Sequence, residues 1–150
     1  MNRFLSLILL MAAILLPATS HAQKNMSIQS AFTESYTSLP GATETLLTRS
    51  KLHDVNLSLY HALSIPGNPE KAIEIERMVL RDGSKATSKE VRYSSGHLLY
   101  GFYVLPKTEG QNRYILFLNG NLNSGGKLVL LYLEGNASVN DVKKLINKAK

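Results

Sequence analysis

The chain has 150 residues, 44% hydrophobic and 19% charged, with a formal net charge of +6 and neither cysteine nor tryptophan. That length suits one domain with a single core, and the lack of cysteine excludes disulfide staples, thiolate metal sites, cysteine nucleophiles and a lipid-modified cysteine. The positive balance favours anionic partners, but it bears on association and solubility and not on fold.

Residues 1–22 read as a cleaved export signal. Arg3 supplies the positive start, Phe4 to Leu16 is uncharged and apolar-rich, and Pro17 precedes Ser20-His21-Ala22, a small-x-small cleavage site. As a helix the apolar run would be about 20 Å long at ~1.5 Å per residue, too short for a hydrocarbon core of ~30 Å. The expectation is therefore a periplasmic or secreted protein: residues 1–22 removed, residues 23–150 one domain, and no membrane anchor after cleavage. Export without disulfides suits a bacterial envelope. The sequons at Asn25, Asn56 and Asn136 carry no weight, because a three-residue pattern recurs by chance.

Gln23 to Ser38 places Ile28, Phe32 and Tyr36 at helical spacing with Ser27 as N-cap, which predicts a short helix. Leu39-Pro40-Gly41 ends it. Thr43 to Lys51 is threonine-rich and uncapped, as a strand would be. Val55 to Ile65 fits two patterns, but Leu57, Leu59, His61, Leu63 and Ile65 alternate over a longer run than the helical face, and the expectation is a strand closed by Pro66-Gly67.

Asn68-Pro69-Glu70 supplies an N-cap, a proline at the first helical position and an acid in the first turn; the helix should run to about Arg81, with Gly83 beyond it. Four strands should follow: Glu90 to Ser94, Leu98 to Leu105, Arg113 to Asn119 and Lys127 to Glu134. Ser94-Ser95-Gly96 joins the first pair, and the loop Gly120 to Gly126 joins the last. The last two strands are apolar on both faces, so they should lie centrally and be covered on both sides, or meet a partner on one. Ser138 and Asp141 resemble a capping box, and Val139, Val142, Leu145 and Ile146 form one helical stripe. The lysines at 143, 144, 148 and 150 suit a helix C-terminus better than a binding patch. Together these elements predict an α+β fold, with an antiparallel sheet of about five or six strands packed with two or three helices.

Candidate chemistry is sparse. Gly120 to Lys127 invites comparison with a phosphate-binding loop, but Asn121 and Leu128 break the pattern and a strand follows where a helix belongs. His53, His61 and His97 show no familiar zinc spacing, and no serine sits in a Gly-x-Ser-x-Gly elbow. Glu74 and Glu76, two apart on a helix, should point to different faces. Tyr100-Gly-Phe-Tyr103 has part of the aromatic pattern of RNA-binding sheets without its basic-glycine opening, and no nucleic acid partner is expected.

The helix, the hairpin with Leu99-Tyr100-Gly101-Phe102-Tyr103, the strand Arg113-Tyr114-Ile115-Leu116-Phe117 and the ending Leu131-Tyr132-Leu133-Glu134-Gly135-Asn136 with a short helix resemble small exported bacterial domains of unknown function. That resemblance implies a fold and no activity. The reading that follows is a non-enzymatic binding or interaction module for a protein or glycan, without a cofactor, using Tyr100, Phe102, Tyr103, Asn121 and Asn123. The alternatives are a small hydrolase built on His61 or His97 with a carboxylate, or an inhibitor of an external enzyme. A histidine hydrogen-bonded to a carboxylate inside a concave pocket would favour the hydrolase.

Overall fold

The structure is a computed structural model, and it describes residues 25–122 and 126–148. The expected signal segment and Asn123 lie outside the described residues. A 3-10 segment, Ser27–Phe32, leads into α1 (Glu34–Thr37), β1 (Thr43–Thr48), α2 (Arg49–Leu52) and a 3-10 turn, His53–Val55. There follow β2 (Leu57–Pro66), α3 (Pro69–Gly83), β3 (Ser88–Ser94), β4 (His97–Thr108), β5 (Gln111–Asn119), a 3-10 turn Gly120–Leu122, β6 (Lys127–Gly135) and α4 (Val139–Lys148). The expected α+β class, the six-stranded antiparallel sheet and the two long helices are all present.

The strands stand in the order β1-β2-β6-β5-β4-β3, every neighbouring pair antiparallel. Helix α3 carries the chain from β2 to the far edge, and the meander β3 to β6 then returns to pair β6 with β2. This places β5 and β6 in the interior, as their apolar faces require. On the first face, Leu63, Phe117, Leu130 and Tyr132 pack with Ile75 and Val79 of α3 and with Ile28. On the second face, Tyr60, Phe102, Tyr114, Leu116 and Leu133 pack with Val142 of α4 and Leu52 of α2.

Local signals held where their partners are local. The Asn68 side chain accepts the Lys71 N–H at 3.2 Å with Pro69 at the first helical position. Ser138 and Asp141 exchange hydrogen bonds of 3.2 Å as a reciprocal box, and those bonds hold the Asp141 carboxyl below its ordinary range.

Most strand ends shift by one to three residues from the sequence expectations, and three departures have a tertiary cause. The N-terminal helix splits into a 3-10 segment and one α-turn, because buried Ile28 and Ala31 lie three apart, the spacing that eclipses on a 3-10 helix. Its cap is not Ser27: the Asp82 carboxylate of α3 accepts the N–H groups of Ser27 and Ile28, each at 2.8 Å. Strand β1 stops at Thr48, and Arg49–Leu52 turns helical to bury Leu52 on the second face. Finally, Gly83 lies inside α3 rather than beyond it. A Cβ there would sit 2.4 Å from the Tyr103 ring, so only glycine leaves room for that ring against the helix.

Candidate functional site

The second face is covered unevenly, and the strand register shows where. Arg92, Tyr100, Leu118, Val129, Ser64 and Thr43 follow one another across all six strands as one transverse row. None of the six is fully buried. In the adjoining row Phe102, Leu116 and Leu131 are buried, packed with α2 or α4 residues in the second core. The short α4 therefore leaves the outer row incompletely roofed.

Where this row reaches the sheet edge, a groove of about 330 Å³ opens between the β3–β4 hairpin and α4. Its walls are Glu90, Arg92, Tyr100, Lys143, Ile146 and Asn147, with Val91 also contributing. The Arg92 guanidinium lies 4.9 Å from the centre of the Tyr100 ring, a cation–π arrangement. Lys143 pairs with Glu90 at 2.5 Å and stands 5.9 Å from the centre of the Phe102 ring. Phe102 stacks on Tyr114 with ring centres 6.0 Å apart, and the Tyr114 hydroxyl donates to the Ala137 carbonyl at 2.6 Å, holding the entry to α4. Burial, then the Glu90 carboxylate, pushes the Tyr100 phenol above its ordinary range, so it stays a neutral hydrogen-bonding group.

Of the residues expected to face a partner, Tyr100 is half-buried and lines the groove. Phe102 and Tyr103 are each 2% exposed and point to opposite faces, the first into the core under α4 and the second against α3, so neither side chain is open to a ligand. Adjacent strand residues must diverge in this way. Asn121 is half-buried; its backbone N–H donates to the Asn119 side chain at 3.2 Å, and its amide nitrogen has no partner among the described residues. The Gly126 N–H donates to the Gly120 carbonyl at 3.1 Å, closing a hairpin as the spacing required.

Each of the three described histidines meets a carboxylate, and each pair sits away from the groove. His53 and Asp54 touch at 2.9 Å while both are exposed. His61 is 2.7 Å from Glu44 and its ring stacks on Phe32 at 3.6 Å; burial pushes its pKa down, partly opposed by Glu44. His97 lies 3.1 Å from Glu76, whose other oxygen accepts the Leu98 N–H at an irregularity in the β3–β4 pairing. Buried Glu76 thus supports the sheet, while Glu74 bonds the Tyr36 hydroxyl at 2.8 Å; the two carboxylates diverge as two apart on a helix must.

Among the described residues no group of three or more histidines and carboxylates could hold a metal ion, and no helix is long and apolar enough to cross a membrane. Arg92 and Asn147 were not singled out in the sequence, and Lys143, expected there at a helix C-terminus and not in a binding patch, lies mid-helix in α4 and forms part of the groove wall. Arg92 could have been, since the turn Ser94-Ser95-Gly96 followed back along the hairpin brings it close to Tyr100. Lys143 and Asn147 arrive only with the docking of α4. Residues 15–146 match the model of a family of unknown function (DUF6108). No curated protein and no solved structure matches.

Proposed function

The chain belongs to that family of unknown function, DUF6108, and from its own geometry we propose an exported, non-enzymatic binding module that seats a protein or glycan partner on the second face of its sheet, around Tyr100. The observation that carries this reading is the continuity of the half-buried row Tyr100, Leu118 and Val129 with the groove between β3 and α4. Apolar side chains form the middle of that surface, and two cations, a carboxylate, an amide and a phenol gather at one end. Such a mixture suits an interface in which a few polar groups orient an apolar contact. The signal-like residues 1–22 support a bacterial envelope or secreted location.

Two experiments test the proposal. Fractionation of cells producing the full chain should recover it outside the cytoplasm and shortened at its N-terminus; a full-length cytoplasmic protein would overturn the location. Binding to an array of envelope glycans, and photocrosslinking in envelope extracts from position 118, should both be compared between the wild type and Tyr100→Ala. Loss of at least ~10-fold in affinity for the captured partner, about 1.4 kcal/mol, is expected with unchanged circular dichroism. Equal binding by the two proteins would sink the choice of face.

A further inference from the structure

Among the described residues the outer edge of β3 has no neighbouring strand, and its sequence, Ser88-Lys89-Glu90-Val91-Arg92-Tyr93-Ser94, is complementary to itself. We infer that β3 pairs with the β3 of a second copy of this chain, joining two six-stranded sheets edge to edge. In an antiparallel pair with a two-fold axis at Val91, the two Val91 residues face each other. Glu90 of each copy then lies opposite Arg92 of the other, Lys89 opposite Tyr93, and Ser88 opposite Ser94. Directly opposed side chains in such a pair share a face and lie ~4.5–5.5 Å apart at Cβ. The two-fold therefore creates two ion pairs and two cation–aromatic pairs, with an apolar contact at the centre.

Charges on an edge strand ordinarily discourage pairing. Here their order admits one register. The smallest slip that keeps the faces matched is two residues about the axis, and it sets Glu90 against Glu90 or Arg92 against Arg92. The opposite edge, β1, has no such pattern, because its single charged residue, Glu44, finds no cation opposite it in any register.

The single chain leaves the required groups available. Ser88, Lys89, Glu90, Arg92 and Tyr93 are exposed, Tyr93 to 56%, and among the described residues Arg92 reaches no carboxylate. Glu90 can take a second cation while keeping Lys143 at 2.5 Å, since a carboxylate has about four acceptor sites. A seven-residue edge is small beside the ~1,200–2,000 Å² of a standard interface, so the dimer forms with rising concentration.

Sedimentation of the protein purified from full-length expression, over a concentration series, reads the association directly. The wild type should pass from monomer to dimer, and amide exchange across Ser88–Ser94 should slow as it does so. Glu90→Arg and Arg92→Glu should each weaken self-association at least ~10-fold, because the symmetry turns both ion pairs into repulsions. An equimolar mixture of these two variants sets two arginines against two glutamates and should restore the dimer as a heterodimer. The double variant Glu90→Arg/Arg92→Glu should restore it as a homodimer. Tyr100→Ala should still dimerise, so the two proposals fail separately although Glu90 and Arg92 line the groove as well as the edge. A wild type that remains monomeric, single variants that dimerise as tightly as the wild type, or failure of both rescues would overturn the inference.

Discussion

Replacing Asp82 with alanine should release the N-terminal segment from the domain. Its carboxylate accepts two backbone N–H groups, from Ser27 and Ile28 at 2.8 Å each, from a position 55 and 54 residues away in sequence. Asp82 also sits near the C-terminus of α3, where the helix dipole disfavours an anion, so its gain must come from the donors it faces. Hydrogen bonds to a charged group contribute about 1.5–3 kcal/mol each, and the Ile28 N–H would be left unsatisfied in a buried place. The two bonds act as a unit, so the sum is not additive, and we expect a loss of about 3 kcal/mol for Asp82→Ala. Asp82→Asn keeps one carbonyl acceptor and should lose about half as much. With a urea slope of about 1–3 kcal/mol/M, the alanine variant's midpoint should fall by roughly 1–3 M. Amide exchange at Ile28 and proteolysis before Glu34 should accelerate more than the midpoint shift alone accounts for. A change below about 0.5 kcal/mol, with Ile28 still protected, would refute the cap.

Two further outcomes follow from the first face. Gly83→Ala gains about 1 kcal/mol in helix propensity, but its Cβ would fall 2.4 Å from the Tyr103 ring, and displacing that buried ring should give a net loss of about 1–3 kcal/mol in urea unfolding. A melting temperature at or above the wild-type value would show that the ring can move freely. His61 is driven toward its neutral form by burial. Its folded pKa lies below the ordinary ~6.5, so the unfolded chain takes up the proton first. Stability from this group is full above about pH 6.5 and declines as pH falls toward the folded value. Thermal melts from pH 8 to 5 should show that decline and His61→Phe should remove its share, whereas an unchanged profile would contradict the assignment.

How much of this was legible depended on the range of each interaction. The start of α3, the capping box of α4 and the two-faced character of β5 and β6 are written in stretches of a few residues, and they were read correctly. The three partner-facing aromatics were not equally readable: a strand puts Phe102 and Tyr103 on opposite sides, and only the coverings of the two faces show that both are closed. Tyr100 stayed accessible because α4 roofs the Phe102 row and leaves the next one incompletely covered.

The sequence by itself determined the class of fold, the meander and the absence of thiol chemistry, because composition and period-two alternation act locally. Only the tertiary structure decided that Asp82 caps a segment more than fifty residues earlier, that β6 closes against β2, and that Arg92, Tyr100 and Lys143 meet in one groove. Those contacts join residues distant in sequence, and their geometry is set by helix docking and sheet order, which no local pattern encodes. The edge strand β3 belongs to both levels. Its self-complementary order was present in seven consecutive residues, but it acquired meaning only once the sheet placed that strand on the outside.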